Sequence, residues 1–415
     1  MEQTFLTDIE IKKVRHLENI SIPLGKEQRK HLILTGKNGS GKTSLLEALV
    51  KYFLYITSQG YYSIEKVNSS YEKYNGQLNA LKEQKDSDEK FMKINEIENS
   101  MNTWKEDFDI WNNSVIANIN SISFLQNKFK RGNFILAYYR DERELQVEKY
   151  KNIEKVQFED KYNINDNPGA KLTKYLVDLK ATQAFTKEKE KFARIEDWFR
   201  RFEEILKRIF DDSNLKLQFN DETFQFSIQE PGREAFDFNT MSRGYAAVFD
   251  IISDLVMRME AQSGLRTEFD MEGVVLVDEI ETHLHLELQK EILPILTILF
   301  PNIQFVVTTH SPFILSSLDN AVIYDLENKT LVENGLMNLP YQGIVEGYFK
   351  ADALSKELRG KYEKYKILVS KEELSDEEYE EIDKLEFYLD EIPDYLAKEL
   401  TSEYSRLKLE FSNRG

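Results

Sequence analysis

An eight-residue loop near the amino terminus carries the residue types that bind nucleotide phosphates. It fits the pattern G-x-x-x-x-G-K-[ST] with Gly36, Lys37, Asn38, Gly39, Ser40, Gly41, Lys42 and Thr43, and Ser44 follows it. Glycines allow consecutive backbone N–H groups to turn toward phosphates. The lysine places a positive charge beside the β and γ phosphates, and the threonine hydroxyl is a Mg²⁺ ligand. The loop and Ser44 are therefore predicted to bind ATP, with Thr43 as a metal ligand.

A second chemical pattern is a run of four aliphatic residues, 274–277, that ends in Asp278 and Glu279. Such a run predicts a buried parallel strand, and ligands bind at the carboxyl edge of such strands. An aspartate there can hold Mg²⁺ through water, while a neighbouring glutamate can accept a proton from the water that attacks the γ-phosphate. Asp278 is therefore predicted to serve the metal and Glu279 to be catalytic.

A histidine, His310, follows the next predicted strand and should reach the same edge of the sheet. A neutral imidazole there can donate a hydrogen bond to the γ-phosphate and respond to its loss. His283, His285 and Glu287 superficially resemble a metal cluster. Because they come directly after Glu279, a loop that contacts another subunit is the preferred interpretation.

These residues require an α/β core to position them. Strands are predicted at residues 7–13, 31–35, 134–138, 274–277, 303–307 and 321–324, the first two as a pair, with helices at 44–53 and 286–299. The β-α-β alternation late in the chain is typical of a parallel sheet. The fold class is thus α/β, a P-loop NTPase core with a mixed or parallel sheet.

The remaining segments are predominantly helical. A helical arm with short coiled-coil character is predicted at 51–131, an amphipathic helical region at 172–210, a hairpin at 215–228, and a helix at 377–389 that follows a capping box formed by Ser375 and Glu378. The expected organisation is an ATPase head formed by 1–50, 132–160 and 213–346, insertions at 51–131 and 161–212, and an acidic helical tail at 347–415 for partner or oligomer contacts.

Composition narrows the function classes. The 415 residues include 73 acidic and 55 basic side chains, for a net charge of −18, so extensive coating of nucleic acid or anionic membrane is disfavoured. The absence of cysteine excludes disulfides and thiolate metal sites. Apolar runs fall far short of the roughly 20 residues that span a bilayer, and no signal peptide is visible, so a cytoplasmic protein without membrane contact is expected.

The combined motifs resemble those of ATP-binding-cassette (ABC) ATPases, in the chromosome-maintenance (SMC) and recombination-repair branch. The phosphate loop resembles its Walker A, the acidic strand end its Walker B and His310 its switch histidine. Residues 241–245 (MSRGY) resemble a degenerate signature motif. With E-x-H-L-H at 281–285 and TTHSPF at 308–313, the chain is most similar to bacterial anti-phage ATPases of the overcoming-lysogenisation-defect type and of Septu-like, retron-associated systems.

The resemblance implies a head-to-tail dimer or higher homo-oligomer, in which Ser242 and Gly244 reach the ATP of another copy. It also implies a separately encoded nuclease of HNH type as a partner, because no nuclease site is recognised in this chain. The family's Q-loop position falls near residues 138–146, where Gln146, Arg140 and Arg143 all remain candidates. The arm lacks the C-x-x-C of a zinc hook, and no Toprim nuclease domain is expected in the residues that follow 347.

Three alternatives remain open at this point: a scaffold in which ATP is structural, a stand-alone DNA-repair ATPase, and an ABC transporter ATPase with separate membrane subunits. Arg243, which replaces the first glycine of the signature, motivates the scaffold. DNA contact would be expected on the mixed-charge helix at 187–208, although interleaved charges of this kind usually mark a solvated face.

Overall fold

A computed structural model describes residues 3–58, 62–83, 87–143, 145, 153–263, 269–333, 335–336, 356–371, 373–390 and 398–412. The chain divides into two compact units, Met1–Asn338 and Leu339–Gly415. This division and the expected boundary at 346/347 both fall outside the described residues. The position of the boundary therefore stays a prediction.

Strands occur in the first unit. They are β1 (Leu6–Val14), β2 (Leu17–Pro23), β3 (His31–Thr35), β4 (Val115–Ile119), β5 (Ile135–Tyr139), β6 (Lys216–Asn220), β7 (Gln225–Gln229), β8 (Gly273–Val277), β9 (Ile303–Thr308), β10 (Ala321–Asp325) and β11 (Thr330–Glu333). Its helices are α1 (Lys42–Thr57), α2 (Ile64–Lys82), α3 (Asp88–Asn112), α4 (Ile122–Lys130), α5 (Leu172–Phe185), α6 (Lys189–Ile209), α7 (Arg243–Ser263), α8 (Leu286–Leu299) and α9 (Pro312–Leu315).

The central sheet has six strands in the order β11-β10-β3-β9-β8-β5. All its neighbours pair in parallel except β11, which is antiparallel to β10. Every residue of β3, β8, β9 and β10 is buried, because aliphatic runs of this kind suit strands that are covered on both faces. The predicted α/β fold of P-loop NTPase type is confirmed, and the carboxyl ends of five strands meet at one edge.

A second sheet, β2-β1-β4, is antiparallel. The prediction that residues 7–13 and 31–35 form a strand pair is therefore wrong, since β1 and β3 lie in different sheets. β2 interrupts its buried residues with exposed ones, and β1 interrupts its buried residues with half-buried or exposed ones, which suits a sheet with one more solvated face, whereas β3 is buried throughout. β2, with its interleaved polar residues, was not predicted.

The helical insertion is shorter than expected. Helices α2 and α3 pack on each other. Each is capped by a serine, Ser63 or Ser87, whose hydroxyl accepts a hydrogen bond from the backbone N–H of the residue three positions later. The prediction of a wholly helical segment at 51–131 is wrong at β4, which pairs with β1. Val115, Ile116 and Ala117 are all buried, so the backbone N–H and C=O groups of this segment need hydrogen-bond partners. Pairing with β1 as a strand supplies those partners.

Two further expectations hold with added detail. The helical region predicted at 172–210 consists of two helices, α5 and α6. The predicted hairpin is β6 and β7, and its turn is closed by Asn220, whose side-chain oxygen accepts from the backbone N–H groups of Glu222 and Thr223 at 3.0 and 2.9 Å.

The second unit contains three described helices, α10 (Lys356–Val369), α11 (Asp376–Asp390) and α12 (Lys398–Ser412). Their core includes Tyr365, Leu385 and Tyr404. The predicted capping box before α11 is confirmed: Glu378 N–H donates to Ser375 Oγ at 3.3 Å, and Ser375 N–H donates to the Glu378 carboxylate at 3.0 Å.

None of the helices in the described part of the chain is long and apolar enough to cross a membrane.

Candidate functional site

The phosphate loop lies between β3 and α1, where the sequence predicted it. Three of its glycines hold left-handed backbone, with φ of 137° at Gly36, 83° at Gly39 and 96° at Gly41. A Cβ at Gly36 would lie 2.7 Å from the hydroxyl oxygen of Ser40, so glycine is required there for space as well as for conformation. The loop then enters α1 at Lys42, which directs the amino end of the helix toward the loop.

Lys42 is buried and folded back over the loop. Its ammonium donates to the carbonyl oxygens of Gly36 at 2.9 Å and Lys37 at 3.3 Å. Burial lowers the pKa of Lys42, while the nearby carboxylates of Glu279 and Glu281 act in the opposite direction. The charge is therefore already held at the loop by the backbone and faces acidic groups from another strand.

The other loop residues divide into exposed and enclosed groups. Asn38, Gly39 and Thr43 are exposed, whereas Ser40 and Ser44 are buried. The ammonium of Lys37 is paired with Glu327 Oε1 at 2.7 Å, and the Lys37 N–H donates to Glu327 Oε2 at 3.2 Å. Glu327 follows β10 at the same sheet edge, and no sequence motif had identified it as part of the site.

The acidic strand end, Asp278 and Glu279, lies at the same carboxyl edge of the central sheet as the phosphate loop. Asp278 is buried, and its Oδ1 accepts a hydrogen bond from the hydroxyl of Thr308 at 2.5 Å. The same hydroxyl oxygen accepts from the N–H of Glu279 at 2.7 Å. Thr308, the last residue of β9, thus fixes both the metal candidate and the backbone of the catalytic candidate, and its role was missed from sequence because threonine is ordinary at a strand end.

His310 lies next to the catalytic candidate. Its Nε2 is 4.0 Å from Glu279 Oε1, and its backbone N–H donates to Glu281 Oε1. Burial lowers the pKa of His310 and the charge of Lys42 lowers it further, while the carboxylates of Glu281, Glu279 and Asp278 act in the opposite direction; the net shift favours the neutral imidazole. Among the described residues, this Nε2 has no hydrogen-bond partner.

The donor set fits a nucleotide with Mg²⁺. Within the part of the chain that the structure describes, the buried hydroxyls of Thr35 and Ser40 and the Oε2 of Glu281 also have no hydrogen-bond partner. Buried polar atoms normally have partners, so a cluster of unpaired ones marks a place prepared for a polar ligand. Hydroxyl and carboxylate oxygens, here Thr43 and Asp278, are the ligands that Mg²⁺ prefers.

The Q-loop candidates differ sharply in the structure. Gln146 lies outside the described residues, and Arg140 is exposed. Arg143 is buried, and its guanidinium donates to the carbonyl oxygens of Asp278 at 2.8 Å and Glu279 at 3.0 Å. Arg143 therefore holds the backbone of the acidic turn through its carbonyl groups. Its position just after β5 had made it a Q-loop candidate, but the sequence did not indicate this contact.

The signature-like residues lie at the start of α7. Ser242 is exposed, and its carbonyl oxygen accepts from Ala246 N–H at 2.9 Å. Gly244 packs so closely on the loop after β8 that a Cβ would lie 2.9 Å from His283 O. A contact of Ser242 or Gly244 with ATP of another copy stays a prediction.

The histidines after the acidic turn serve backbone geometry. His283 has a φ of 67°, and the ring nitrogen Nδ1 of His285 accepts from Leu288 N–H at 3.2 Å at the start of α8. His285 Nδ1 also lies 3.4 Å from a Glu287 oxygen. No group of three or more His, Asp or Glu side chains in the described ranges is arranged to hold a metal ion.

Comparison with known proteins gives consistent relatives. The family model described as "AAA domain, putative AbiEii toxin, Type IV TA system" matches residues 32–316. The Septu protein PtuA of Bacillus mycoides (strain KBAB4) is 28% identical over 402 residues, 93% of this chain and 50% of that protein. A retron Ec83 probable ATPase of Escherichia coli is 32% identical over 173 residues, 40% of this chain and 31% of that protein.

The chain thus spans half or less of the length of these curated relatives. Among solved structures, an SMC head bound to the C-terminal winged-helix domain of ScpA aligns with a TM-score of 0.39 and 13% identity, over 81% of this chain and 100% of that one.

Proposed function

Because the chain belongs to the family described as "AAA domain, putative AbiEii toxin, Type IV TA system", we propose that it binds and hydrolyses ATP as the regulatory subunit of an anti-phage defence complex. The observation that carries the ATPase proposal is the meeting of the phosphate-loop lysine, Lys42, with Asp278, Glu279 and His310 at one sheet edge. The names of the Septu and retron relatives support the defence role.

Each of these side chains has a task that its surroundings permit. Lys42 and the loop N–H groups bind the β and γ phosphates. Asp278 and Thr43 would hold Mg²⁺, which when bound would neutralise the charge that develops on the phosphates. Glu279 accepts the proton of the attacking water, and the neutral imidazole of His310 donates to the γ-phosphate. His310 would thus release its hydrogen bond when the γ-phosphate leaves.

The assembly is the second part of the proposal. Ser242 and Gly244 contact ATP held by another copy, so that nucleotide joins two heads in a head-to-tail arrangement. Hydrolysis of ATP separates them and controls a nuclease encoded separately, for which an HNH-type enzyme is proposed. The support is the exposed position of Ser242 at the amino end of α7, where backbone N–H groups favour a phosphate.

A scaffold with structural ATP is the second candidate, and Arg243 in place of a signature glycine favours it. A DNA-repair ATPase receives less support from α6. There Arg200 and Arg201 both pair with Asp197, and Lys207 lies 3.1 Å from Glu203. Basic side chains paired within their own helix are typical of a solvated face and not of a phosphate track.

Steady-state ATP turnover distinguishes the ATPase from the scaffold. Wild-type turnover well above that of Lys42→Ala is expected. Lys51→Ala is the matched control, because this lysine is exposed on the same helix and lies outside the loop. If the turnover of the wild-type protein equalled that of Lys42→Ala, the result would contradict the ATPase proposal and favour the scaffold.

The mass of the complex in solution tests the assembly. With Mg²⁺ and ATP, Glu279→Gln should form a dimer or larger species and should bind the product of the neighbouring gene, if that gene encodes a nuclease. Ser242→Arg should prevent the ATP-dependent association, while ATP binding to the single chain persists. A Glu279→Gln protein that stays monomeric at saturating ATP would contradict the head-to-tail proposal.

A further inference from the structure

The turn after β8 holds left-handed backbone without glycine. Glu279 has a φ of 42° and His283 a φ of 67°. Left-handed backbone is unfavourable for a residue other than glycine, so it persists only where the surroundings fix it. The φ of Glu279 matters most, because the backbone at this residue sets where its carboxylate lies relative to the phosphate loop.

The guanidinium of Arg143 supplies such a constraint. Nη1 donates to the carbonyl oxygen of Asp278 at 2.8 Å, and Nη2 donates to those of Glu279 at 3.0 Å and Ile280 at 3.3 Å. Three successive carbonyl groups are thus gathered around one planar fork. A lysine could keep the charge at this position but has no fixed fork with which to hold three oxygens.

The positive charge of Arg143 is buried and lies near carboxylates. Burial lowers the pKa of Arg143, and the carboxylates of Asp250 and Glu281 oppose that effect. Asp250 lies on α7 and, with Arg143, lines a cavity of about 850 Å³ beside the acidic turn. Arginine stays protonated in such surroundings, so a buried cation rests between carbonyl dipoles and carboxylates.

We propose that Arg143 is a positioning residue that holds the backbone of the turn at 278–280 so that the Glu279 carboxylate faces the bound nucleotide. The inference rests on the proposed ATPase function and adds a residue to it. Arg143 does not contact the reacting groups in this arrangement. It acts through the three carbonyl groups, whereas the hydroxyl of Thr308 holds the N–H of Glu279 from the opposite side.

A second buried arginine provides the comparison. Arg258 pairs with Asp254 at 2.7 Å and donates to the carbonyl oxygens of Leu136 at 3.1 Å and Asn163 at 3.0 Å. It therefore clamps α7 to β5 and to the segment at 163–166, and none of these oxygens belongs to the acidic turn. Loss of its fork should reduce stability without moving Glu279.

The test compares Arg143→Lys with Arg258→Lys. For each protein, ATP affinity is measured by equilibrium binding and cleavage by single turnover with saturating ATP and Mg²⁺. Arg143→Lys should cleave about 10- to 100-fold more slowly while its Kd for ATP changes less than about 3-fold, because misplacement of a catalytic group acts on the chemical step. Arg258→Lys should retain the wild-type rate per folded molecule.

A readout that needs no turnover accompanies the kinetics. Hydrogen exchange of the backbone amides at 279–284, measured without nucleotide, should be faster in Arg143→Lys than in wild type and unchanged in Arg258→Lys. Guanidinium ion added to Arg143→Ala should restore part of the cleavage rate, and methylammonium should not.

The outcomes separate the two proposals. If wild type does not exceed Lys42→Ala in turnover, the proposed ATPase function fails, and the exchange measurement still decides whether Arg143 holds the turn. If wild type hydrolyses ATP and Arg143→Lys cleaves at the wild-type rate, the positioning role is overturned while the ATPase function stands. Unchanged exchange in Arg143→Lys would overturn it as well.

Discussion

Two turns face each other at the carboxyl edge of the central sheet, and they are built in opposite ways. In the phosphate loop, left-handed backbone falls on Gly36, Gly39 and Gly41. In the turn after β8, it falls on Glu279 and His283. The first turn adopts its conformation through residue type, whereas the second is held in place by hydrogen bonds from distant parts of the chain.

The difference shows what each turn needs. Phosphate oxygens are bound by backbone N–H groups, so the loop must have little side-chain bulk. The acidic turn must present carboxylates, and glycine cannot supply them. Its strain is offset by Arg143, which holds its carbonyl groups, and by Thr308, which holds its N–H. A change in the loop should therefore act on binding, and a change around the turn should act on catalysis and stability.

Lys42→Ala should have the largest effect and act on binding. Its ammonium is buried at the loop near the carboxylates of Asp278 and Glu279, and its removal would leave those charges to repel the phosphates of ATP without compensation. The Kd for ATP is expected to rise about 100-fold or more, as befits a charge-assisted contact worth about 3 kcal/mol. Equilibrium binding measures this, and an affinity equal to that of Lys51→Ala would contradict the loop assignment.

Asp250→Asn tests the charge that faces Arg143. Burial and the neighbouring carboxylate of Asp254 raise the pKa of Asp250, Arg143 and Asn167 oppose the rise, and the net result is a pKa of about 6. The folded state therefore keeps a proton that the unfolded chain loses between about pH 4 and 6, so ionisation of Asp250 reduces the free energy of unfolding as pH rises. Asparagine cannot ionise and should avoid that loss.

The difference in unfolding free energy between Asp250→Asn and wild type should thus move in favour of the variant by about 2 kcal/mol from pH 4 to 7.5. Urea unfolding across this range measures the change. Asp221→Asn, at an exposed turn, controls for the replacement itself. A difference that stays constant with pH would show that Asp250 carries no such electrostatic cost.

Thr308→Val separates the two constraints on the acidic turn. The substitution keeps the volume but leaves Asp278 Oδ1 and Glu279 N–H without the hydroxyl, which should cost about 1–3 kcal/mol of stability and slow ATP cleavage. Thr309→Val is the matched control, because Thr309 is equally buried and its hydroxyl accepts from Ser311 N–H at 2.9 Å. Equal cleavage rates in the two variants would remove Thr308 from the account.

His283→Gly should have the smallest effect. At a φ of 67°, glycine relieves the left-handed strain, and the free energy of unfolding should rise by up to about 1 kcal/mol. His283→Ala removes the same ring without the relief, so the contrast between the two variants isolates the backbone. If glycine were no better than alanine, the turn would not be strained at this position.

The parts of the site that could be predicted from the sequence are those whose interacting residues lie close together along the chain. The phosphate loop and the aliphatic run before Asp278 are contiguous patterns, and the structure has the predicted strands beside both. The partners of the acidic turn come from β9 and from the segment after β5, so no local pattern identified Thr308 or fixed the role of Arg143. Such contacts depend on strand order.

The same reason explains the errors in the fold. Parallel strands with aliphatic runs were identified correctly, since full burial leaves a strong local signal. β2 was missed because exposed polar residues interrupt its buried ones, and β4 because its short buried run lies between helices and is stabilised by pairing with β1. Register and sheet membership are properties of pairs of segments, which a single segment does not reveal.

The measurement that tests the central claim most directly is single-turnover cleavage of ATP by Glu279→Gln. The account predicts that this variant binds ATP with nearly wild-type affinity and cleaves it at least about 100-fold more slowly than wild type. The reason is that the amide cannot accept the proton of the attacking water. Cleavage at the wild-type rate by Glu279→Gln would contradict the assignment of Glu279 as the catalytic base.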